Sequence, residues 1–403
     1  MNFPLQVSSS RPPSADAGRA SYDPRESLTP RRLTMTLWDQ AFVLRHIPGG
    51  SFEDHDRVLD ETEERGYNTV RLDPMPQWVD LRTPDQILSW PDPKLPLMPW
   101  CWNTAVEGPV GTWMIDFMEK LLARPALNYT LSAWWFCNQG TNQHGPTPRR
   151  VPSGHVEAAE MWAELLTEWK RRFGFDRLIY VDIANEVPYF LPGFTERFRA
   201  ETGSEWWTGA SFTPAQIEFL SVELNGAMRL LHREFPELRF TGSIHGDLRW
   251  LDVPLEFDCL DVHFYADADP RWAERTRFSE FTKMDLFKND TWFEEFSNRC
   301  AAAESAAGPM FRARQEAKLR AFARWAGDQG MPLTTTESWA TWFYADHPKL
   351  DWGWLLKWAE WSVDAAIANG MWGWTPHNYT MPQFVNWQDV AWHRRLNDRF
   401  LNS

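Results

Sequence analysis

Several protein classes are excluded by what this sequence lacks. Its 403 residues include only four cysteines, none in a C-x-x-C pair, so a disulfide scaffold or a zinc–cysteine site is not expected and the thiols are predicted to be buried and free. Lys+Arg 41 against Asp+Glu 55 gives a net charge of −14, which argues against nucleic acid or an anionic membrane as partner. No apolar run reaches the roughly 18 residues that suggest a transmembrane helix.

Motifs for common cofactors are missing as well. No G-x-G-x-x-G follows a predicted strand, and no G-x-x-x-x-G-K-[ST] occurs, which argues against a dinucleotide or phosphate-loop domain. The 10 histidines form no H-x-H or H-E-x-x-H pair. We therefore expect no metal and no cofactor.

Tryptophan, in contrast, is abundant: the chain has 26 Trp, as many as Phe. Each buried indole needs a partner for its N–H, so a core has little need of so many. A flat apolar ring is also the surface on which the apolar face of a sugar stacks. Composition alone leaves two explanations open, a Trp-rich core and a set of sugar-stacking rings.

The first 34 residues contain few apolar side chains and are rich in Ser, Pro and Arg. We predict a disordered tail over 1–34 and a single folded domain over 35–403. No apolar segment of a secretory signal follows the start, so a cytoplasmic location is expected. Met35 opens the first convincing strand and is an alternative start of the chain.

Strands and helices alternate along the domain, which predicts βα units and a parallel sheet. The predicted strands cover 36–44, 68–73, 128–136, 178–184, 238–243, 259–265, 332–336 and 371–375, and the helices cover 53–65, 111–123, 155–173, 213–235, 309–328 and 352–369. This length and rhythm favour an α/β fold in the form of a (β/α)8 TIM barrel with long loops after the strands. An open Rossmann sheet is the competing fold, and the missing glycine motif argues against it.

Polar side chains at the carboxyl ends of the strands are the candidate site, because barrel enzymes place their chemistry there. Glu186 follows the fourth strand and Glu337 follows the seventh. Two opposed carboxyl groups are what hydrolysis of a glycosidic bond requires. Either glutamate taken alone is better explained as a salt-bridged loop residue, but the pair at two strand ends favours catalysis.

The ordered set Arg71, Asn185-Glu186, His263, Tyr265, Glu337 and Trp374 resembles the pattern of glycoside hydrolase clan A, in particular the cellulase-like family 5 enzymes. Residues 64–72 are similar to the second-strand signature of that family, and the resemblance spans about residues 35–395. It implies a retaining β-glycosidase with Glu186 as acid/base and Glu337 as nucleophile. It also implies that Asn185 holds the sugar 2-hydroxyl, that Arg71 and Tyr265 hydrogen-bond the nucleophile, and that Trp374 forms a sugar platform.

The sequence departs from the family at the third strand, where a histidine is usual and Trp134-Trp135 stands here. We expect Trp135 to stack on substrate in its place and His245, after the fifth strand, to compensate. His263 is expected to tune one of the glutamates or to bind substrate, and a core histidine is an equal alternative.

Three functions remain: a retaining glycosidase acting on a carbohydrate substrate, a non-catalytic carbohydrate-binding protein on the same barrel, and an unrelated barrel enzyme such as a metal-dependent lyase or an isomerase. The presence of both glutamates favours the first, and the missing metal motifs argue against the third. The sequence does not indicate the sugar, the linkage or the oligomeric state.

Overall fold

The computed structural model describes residues 28–92, 101–135, 145–206, 209–281 and 291–403. Within these ranges the strands are β1 (Leu33–Asp39), β2 (Thr69–Leu72), β3 (Leu88–Trp90), β4 (Val106–Gly108), β5 (Asn128–Ser132), β6 (Leu178–Asp182), β7 (Phe240–Thr241), β8 (Ile244–His245), β9 (Leu260–Tyr265), β10 (Leu333–Thr334), β11 (Ser338–Trp339) and β12 (Gly373–Trp374). The helices are α1 (Ala41–Leu44), α2 (His55–Glu64), α3 (Val110–Leu122), α4 (His155–Phe173), α5 (Phe194–Thr202), α6 (Pro214–Glu234), α7 (Pro270–Thr276), α8 (Phe278–Phe281), α9 (Thr291–Gln329), α10 (Gly353–Ala368) and α11 (Val390–Leu401).

The strands form an α/β fold around parallel sheets, as the alternation predicted. One sheet has six strands in the order β12-β1-β2-β5-β6-β7, and another joins β8, β10 and β11 to β9. Every pairing in these two sheets is parallel. The strands are buried along nearly their whole length, which is typical of parallel strands covered on both faces.

Backbone hydrogen bonds also join the two sheets to each other. At one end, the N–H of Asp258 donates to the carbonyl of Phe240 at 2.9 Å. At the other end, the N–H of Trp372 donates to the carbonyl of Leu333 at 2.7 Å and the N–H of Thr335 to that of Gly373 at 3.2 Å. The carboxyl ends of the strands therefore share one face of the molecule.

Several helices, among them α2, α6, α7 and α11, begin at residues whose side chains cap them. Asp54 accepts from the N–H of Arg57 at the start of α2, and Thr213 and Gln216 form a reciprocal capping box at the start of α6, which has Pro214 in its first turn. Such caps satisfy backbone donors that a helix leaves unpaired. They fix where each helix starts and how its apolar face meets the strands.

The predicted boundaries need correction in four places. Residues 41–44 form the short helix α1 instead of continuing the first strand, and the Pro-rich segment 74–109 contains the antiparallel pair β3–β4. The stretch 187–212 contains α5, and 266–308, predicted as a loop, contains α7, α8 and the first part of α9. Pro309, predicted as the first residue of a helix, lies inside α9.

The predicted tail is also too long. Residues 1–27 lie outside the described residues, but 28–34 are folded: Leu28 is buried, and β1 begins at Leu33. The N–H of Leu33 donates to the carbonyl of Trp372 at 2.9 Å, and the Trp372 indole donates to the carbonyl of Pro30 at 2.9 Å. Met35 is therefore the third residue of β1 and not its start.

Most of the tryptophans belong to the core. Fully buried examples are Trp38, Trp90, Trp135, Trp162, Trp169, Trp250, Trp272, Trp339, Trp358, Trp372, Trp374 and Trp387. Many indole N–H groups donate to backbone carbonyls or buried side chains, which meets the need that burial creates. The Trp-rich core is thus the better explanation of this composition. In the described ranges no helix is long and apolar enough to cross a membrane.

Candidate active site

Side chains at the carboxyl ends of β2, β6, β9 and β10 meet in one buried cluster. All but two of the predicted site residues belong to it, namely Arg71, Asn185, Glu186, His245, His263, Tyr265 and Glu337. Parallel strands explain this meeting, because their carboxyl ends lie at the same edge.

Three donors hold the carboxylate of Glu337, whose side chain is 5% exposed. Nη1 of Arg71 donates to Oε1 at 2.6 Å, and the hydroxyl of Tyr265 donates to Oε2 at 2.8 Å. Asn378 Nδ2 lies 3.4 Å from the same Oε2 and 2.7 Å from the Tyr265 hydroxyl. These contacts fix the orientation of Glu337. Asn378, which follows β12 in a loop, was not predicted, because no pattern in the sequence marks it.

Two imidazoles hold the carboxylate of Glu186. Nδ1 of His263 lies 2.9 Å from Oε1, and Nε2 of His245 lies 3.1 Å from Oε2. The backbone of Glu186 is left-handed, with a φ of 51°, a conformation that costs a non-glycine residue roughly 1–3 kcal/mol. Its N–H donates to Ser243 Oγ at 2.8 Å, and this bond helps to hold the conformation that aims the carboxylate at the imidazoles.

Burial and charge act in opposite directions on this pair. Burial tends to raise the pKa of Glu186, but His245 and His263 outweigh it and hold the pKa below the usual range. Burial tends to lower the pKa of His263, but the carboxylates of Glu337, Glu186 and Asp261 outweigh it and raise the pKa to about 9. In the free protein the proton of this pair therefore lies on His263.

The two glutamates face each other at short range. A carboxylate oxygen of Glu186, one of Glu337 and a ring nitrogen of His263 all lie within 4.8 Å of one another. Two carboxyl groups about 5–5.5 Å apart are typical of retaining glycosidases, and separations of roughly 6.5–9.5 Å of inverting ones. Three such atoms could also coordinate a cation. Each of the three side chains already has hydrogen-bond partners in the protein, so we assign no metal to this site.

A second layer of buried polar groups holds Arg71, which is 1% exposed. Its Nη2 donates to Ser132 Oγ at 2.9 Å and to Asn185 Oδ1, and lies 3.8 Å from Asp39 and 3.9 Å from Asp182. A buried guanidinium surrounded by carboxylates is strongly held in one position.

Two buried acidic residues near Arg71, Asp182 and Asp261, were not predicted from the sequence. Asp182 accepts from the N–H of Ser243 at 2.7 Å, and Asp261 accepts from Thr336 Oγ1 at 2.9 Å. Both lie inside predicted strands, where a charged residue in a run of apolar ones was the available signal. Burial raises the pKa of Asp182 to about 6, although Arg71 acts against it.

Asn185 presents a donor to the site. Its Oδ1 accepts from Arg71, whereas its buried Nδ2 makes no hydrogen bond with the described residues. A buried amide N–H without a partner is costly. The arrangement is compatible with the predicted contact between Asn185 and a sugar hydroxyl.

Trp374 and Trp135 do not lie at the site, so the predictions of substrate stacking were wrong for both. The indole of Trp374 is fully buried, donates to Ser362 Oγ of α10 at 3.0 Å and packs on Phe400 of α11. The indole of Trp135 donates to the carbonyl of Ile183 at 2.9 Å. Trp135 is fully buried and lies three residues beyond the end of β5 at Ser132.

The ring of Tyr379 is buried in the loop after β12. Burial and the charges of Glu337 and Glu186 raise the pKa of Tyr379 above its usual range. Its ring stacks on Tyr344 at 4.7 Å between centroids. Tyr379 follows β12 in a loop without a recognisable motif, so sequence patterns could not identify it.

The chain is similar to known proteins over most of its length. A family model described as "Sugar-binding cellulase-like" matches residues 35–401. A candidate glycoside hydrolase from Parabacteroides distasonis is 22% identical, with a TM-score of 0.76 over 92% of this chain and 93% of that one. The endoglucanase Cel5A from Thermotoga maritima is 13% identical, with a TM-score of 0.52 over 94% of this chain and 100% of that one. The search of curated proteins finds no significant match. At these identities the structural likeness establishes the fold.

Proposed function

Because the chain belongs to the sugar-binding cellulase-like family, as the sequence resemblance predicted, we propose that it is a retaining glycoside hydrolase. Its substrate is a glycoside, oligosaccharide or polysaccharide with a β-linked bond. The observation that carries the proposal is the pair Glu186 and Glu337, with carboxylate oxygens within 4.8 Å of each other and with different partners.

The two environments support different roles. Glu337, held by Arg71 and Tyr265, attacks the anomeric carbon and forms a covalent glycosyl-enzyme, while the bond to the leaving oxygen breaks. Glu186 gives that oxygen a proton and then takes one from the water that hydrolyses the intermediate. Each step reverses the configuration at the anomeric carbon, so the product keeps the β configuration.

The imidazole of His263 supplies the proton for the first step. In the free protein it carries the proton that it shares with Glu186 across 2.9 Å. Transfer of that proton to Glu186 produces the neutral acid that protonates the leaving oxygen. His263 acts through Glu186 and is a positioning residue in this scheme.

The proposal includes a closed barrel. The backbone hydrogen bonds between Asp258 and Phe240 at one seam, and between Trp372 and Leu333 at the other, support closure of the two sheets into a (β/α)8 barrel. The active site then lies at its carboxyl-terminal mouth.

A panel of aryl β-glycosides of glucose, mannose and galactose tests the proposal. Proton NMR during turnover should show the β-anomer as the first product, before mutarotation. Initial formation of the α-anomer would exclude the double displacement. Sugar binding by calorimetry without turnover of any member would instead favour the non-catalytic carbohydrate-binding alternative.

A further inference from the structure

Exposed aromatic side chains are rare in the part of the chain that the structure describes. Among the described residues only Tyr189, 48% exposed, and Trp342, 39% exposed, are aromatic and exposed. Tyr189 is the third residue after Glu186, and Trp342 is the fifth after Glu337. In a chain that buries so many aromatic rings, the two exceptions follow the two glutamates of the proposed site.

The ring of Tyr189 lies next to the Glu186 end of that site. It meets the His245 imidazole edge to face, with centroids 4.9 Å apart and planes at 80°. The same imidazole contacts Glu186 Oε2 at 3.1 Å. Tyr189 is therefore separated from the acid by a single side chain.

Tyr189 also contacts a buried residue, Trp206. Its ring meets Trp206 edge to face, with centroids 6.1 Å apart and planes at 85°. Trp206 is 2% exposed and packs against Phe198 and Trp250. The ring of Tyr189 therefore packs against a buried aromatic cluster, which supports it beside His245.

The direction of proton transfer determines what binds here. Glu186 protonates the oxygen of the leaving group, so the leaving group lies on the Glu186 side of the cleaved bond. We propose that the ring of Tyr189 is the platform on which the leaving sugar stacks, so that the substrate has a sugar, not a small group, on that side. This inference rests on the proposed function and adds the requirement that the cleaved bond joins two sugars.

Two substrates with the same reacting sugar separate this role from catalysis. For the sugar that the glycoside panel identifies, the methyl β-glycoside has no leaving sugar and the β-linked trisaccharide has one, whereas both leaving oxygens need the proton of Glu186. Tyr189→Ala should lower kcat/KM for the trisaccharide about tenfold, which corresponds to a lost stacking contact of about 1.4 kcal/mol, and should leave that for the methyl glycoside unchanged. Tyr189→Phe keeps the ring and should behave like the wild type on both.

Val222→Ala is the matched control, because Val222 is an exposed apolar residue of α6, 66% exposed, outside the site. It should change neither substrate. An equal loss on methyl glycoside and trisaccharide in Tyr189→Ala, or no loss on either, would overturn the platform while leaving the hydrolase intact. A wild-type protein that turns over neither substrate would overturn the proposed function, and this inference with it.

Discussion

Arg71 and Glu337 form a buried ion pair in which Nη1 donates to Oε1 at 2.6 Å. The other nitrogen of the same guanidinium, Nη2, donates to Ser132 and Asn185, so one side chain positions the proposed nucleophile and the residue beside the proposed acid. The two glutamates follow separate strands, and Arg71 links them because it contacts Glu337 and the neighbour of Glu186, Asn185.

Substitution of Arg71 should therefore lower activity even when the positive charge is kept. Arg71→Lys keeps the charge but loses the planar fork that reaches several acceptors at once, so we expect kcat/KM to fall by about 100-fold or more, or roughly 3 kcal/mol. Arg71→Met leaves buried carboxylates unpaired and should also cost about 3–5 kcal/mol in free energy of unfolding. Steady-state kinetics and urea unfolding measure the two effects. Wild-type activity in Arg71→Lys would show that the fork is not needed.

The stability of the protein should fall as pH rises above neutrality. The pKa of His263 is raised from 6.5 to about 9 by Glu337, Glu186 and Asp261 against the effect of burial. A raised pKa in the folded state gives stability that is fully present below about pH 6.5 and is lost as pH rises through about 9, up to about 3 kcal/mol. Asp39, whose pKa burial raises to about 8, acts in the same direction. Urea unfolding between pH 6 and 10 should show the decline, and His263→Gln should make it shallower. An unchanged slope in the variant would assign the effect to other groups.

Trp374 should matter for stability and not for substrate. Trp374→Phe loses the hydrogen bond to Ser362 and part of the contact with Phe400, so we expect a loss of about 1–3 kcal/mol in free energy of unfolding. The KM should stay within about twofold of the wild type, because the ring does not reach the site. A large rise in KM with unchanged stability would support the sugar platform that the family resemblance implied.

Truncation at the amino terminus should show that residues 28–34 contribute to the stability of the protein. A chain that begins at Met35 loses the pairing of Leu33 with Trp372 and the contact of Trp372 with Pro30. Each lost hydrogen bond is worth about 1 kcal/mol, so its melting temperature should lie below that of a chain that begins at Leu28. Equal melting temperatures would instead support the prediction of a disordered tail over 1–34.

The comparison of sequence and structure shows which information a linear pattern holds. The alternation of apolar segments predicted the parallel α/β fold, and the ends of those segments placed Arg71, Glu186, His263 and Glu337 near one another. Strand order and the shared edge of a parallel sheet are enough for that step. The family resemblance, which the match over residues 35–401 confirms, pointed to the same residues.

The direction of a side chain was harder to predict than its position. Trp374 and Trp135 lie at predicted strand ends, but Trp374 faces α10 and α11, and Trp135 is buried with its indole on the carbonyl of Ile183. A shift of one residue along a strand is enough to exchange its two faces. Asn378 reaches the site from a loop, and no periodicity applies to loops. The carboxylates of Asp182 and Asp261 were overlooked because a strand was read for its apolar residues alone.

The division of labour between the two glutamates gives the most direct test of the site. Glu337→Ala cannot form the covalent intermediate, so turnover should be abolished on every substrate. Added azide can then take the place of the missing carboxylate and should yield a glycosyl azide of inverted configuration. Glu337→Gln, which keeps the size of the side chain and one acceptor oxygen but not the nucleophilic carboxylate, should be as inactive, and both variants should be compared with the wild type by thermal unfolding.

Glu186→Ala should fail in a way that depends on the leaving group. A dinitrophenyl glycoside needs no protonation of its leaving oxygen, so the first step should survive and the glycosyl-enzyme should accumulate, because no base activates water. Mass spectrometry of the quenched protein should detect this adduct on Glu337, and azide should then give a product of retained configuration. The opposite azide stereochemistry in the two variants would exchange the roles. Wild-type activity in both would remove Glu186 and Glu337 from the mechanism, because neither the attack on the anomeric carbon nor the proton transfer could then depend on them.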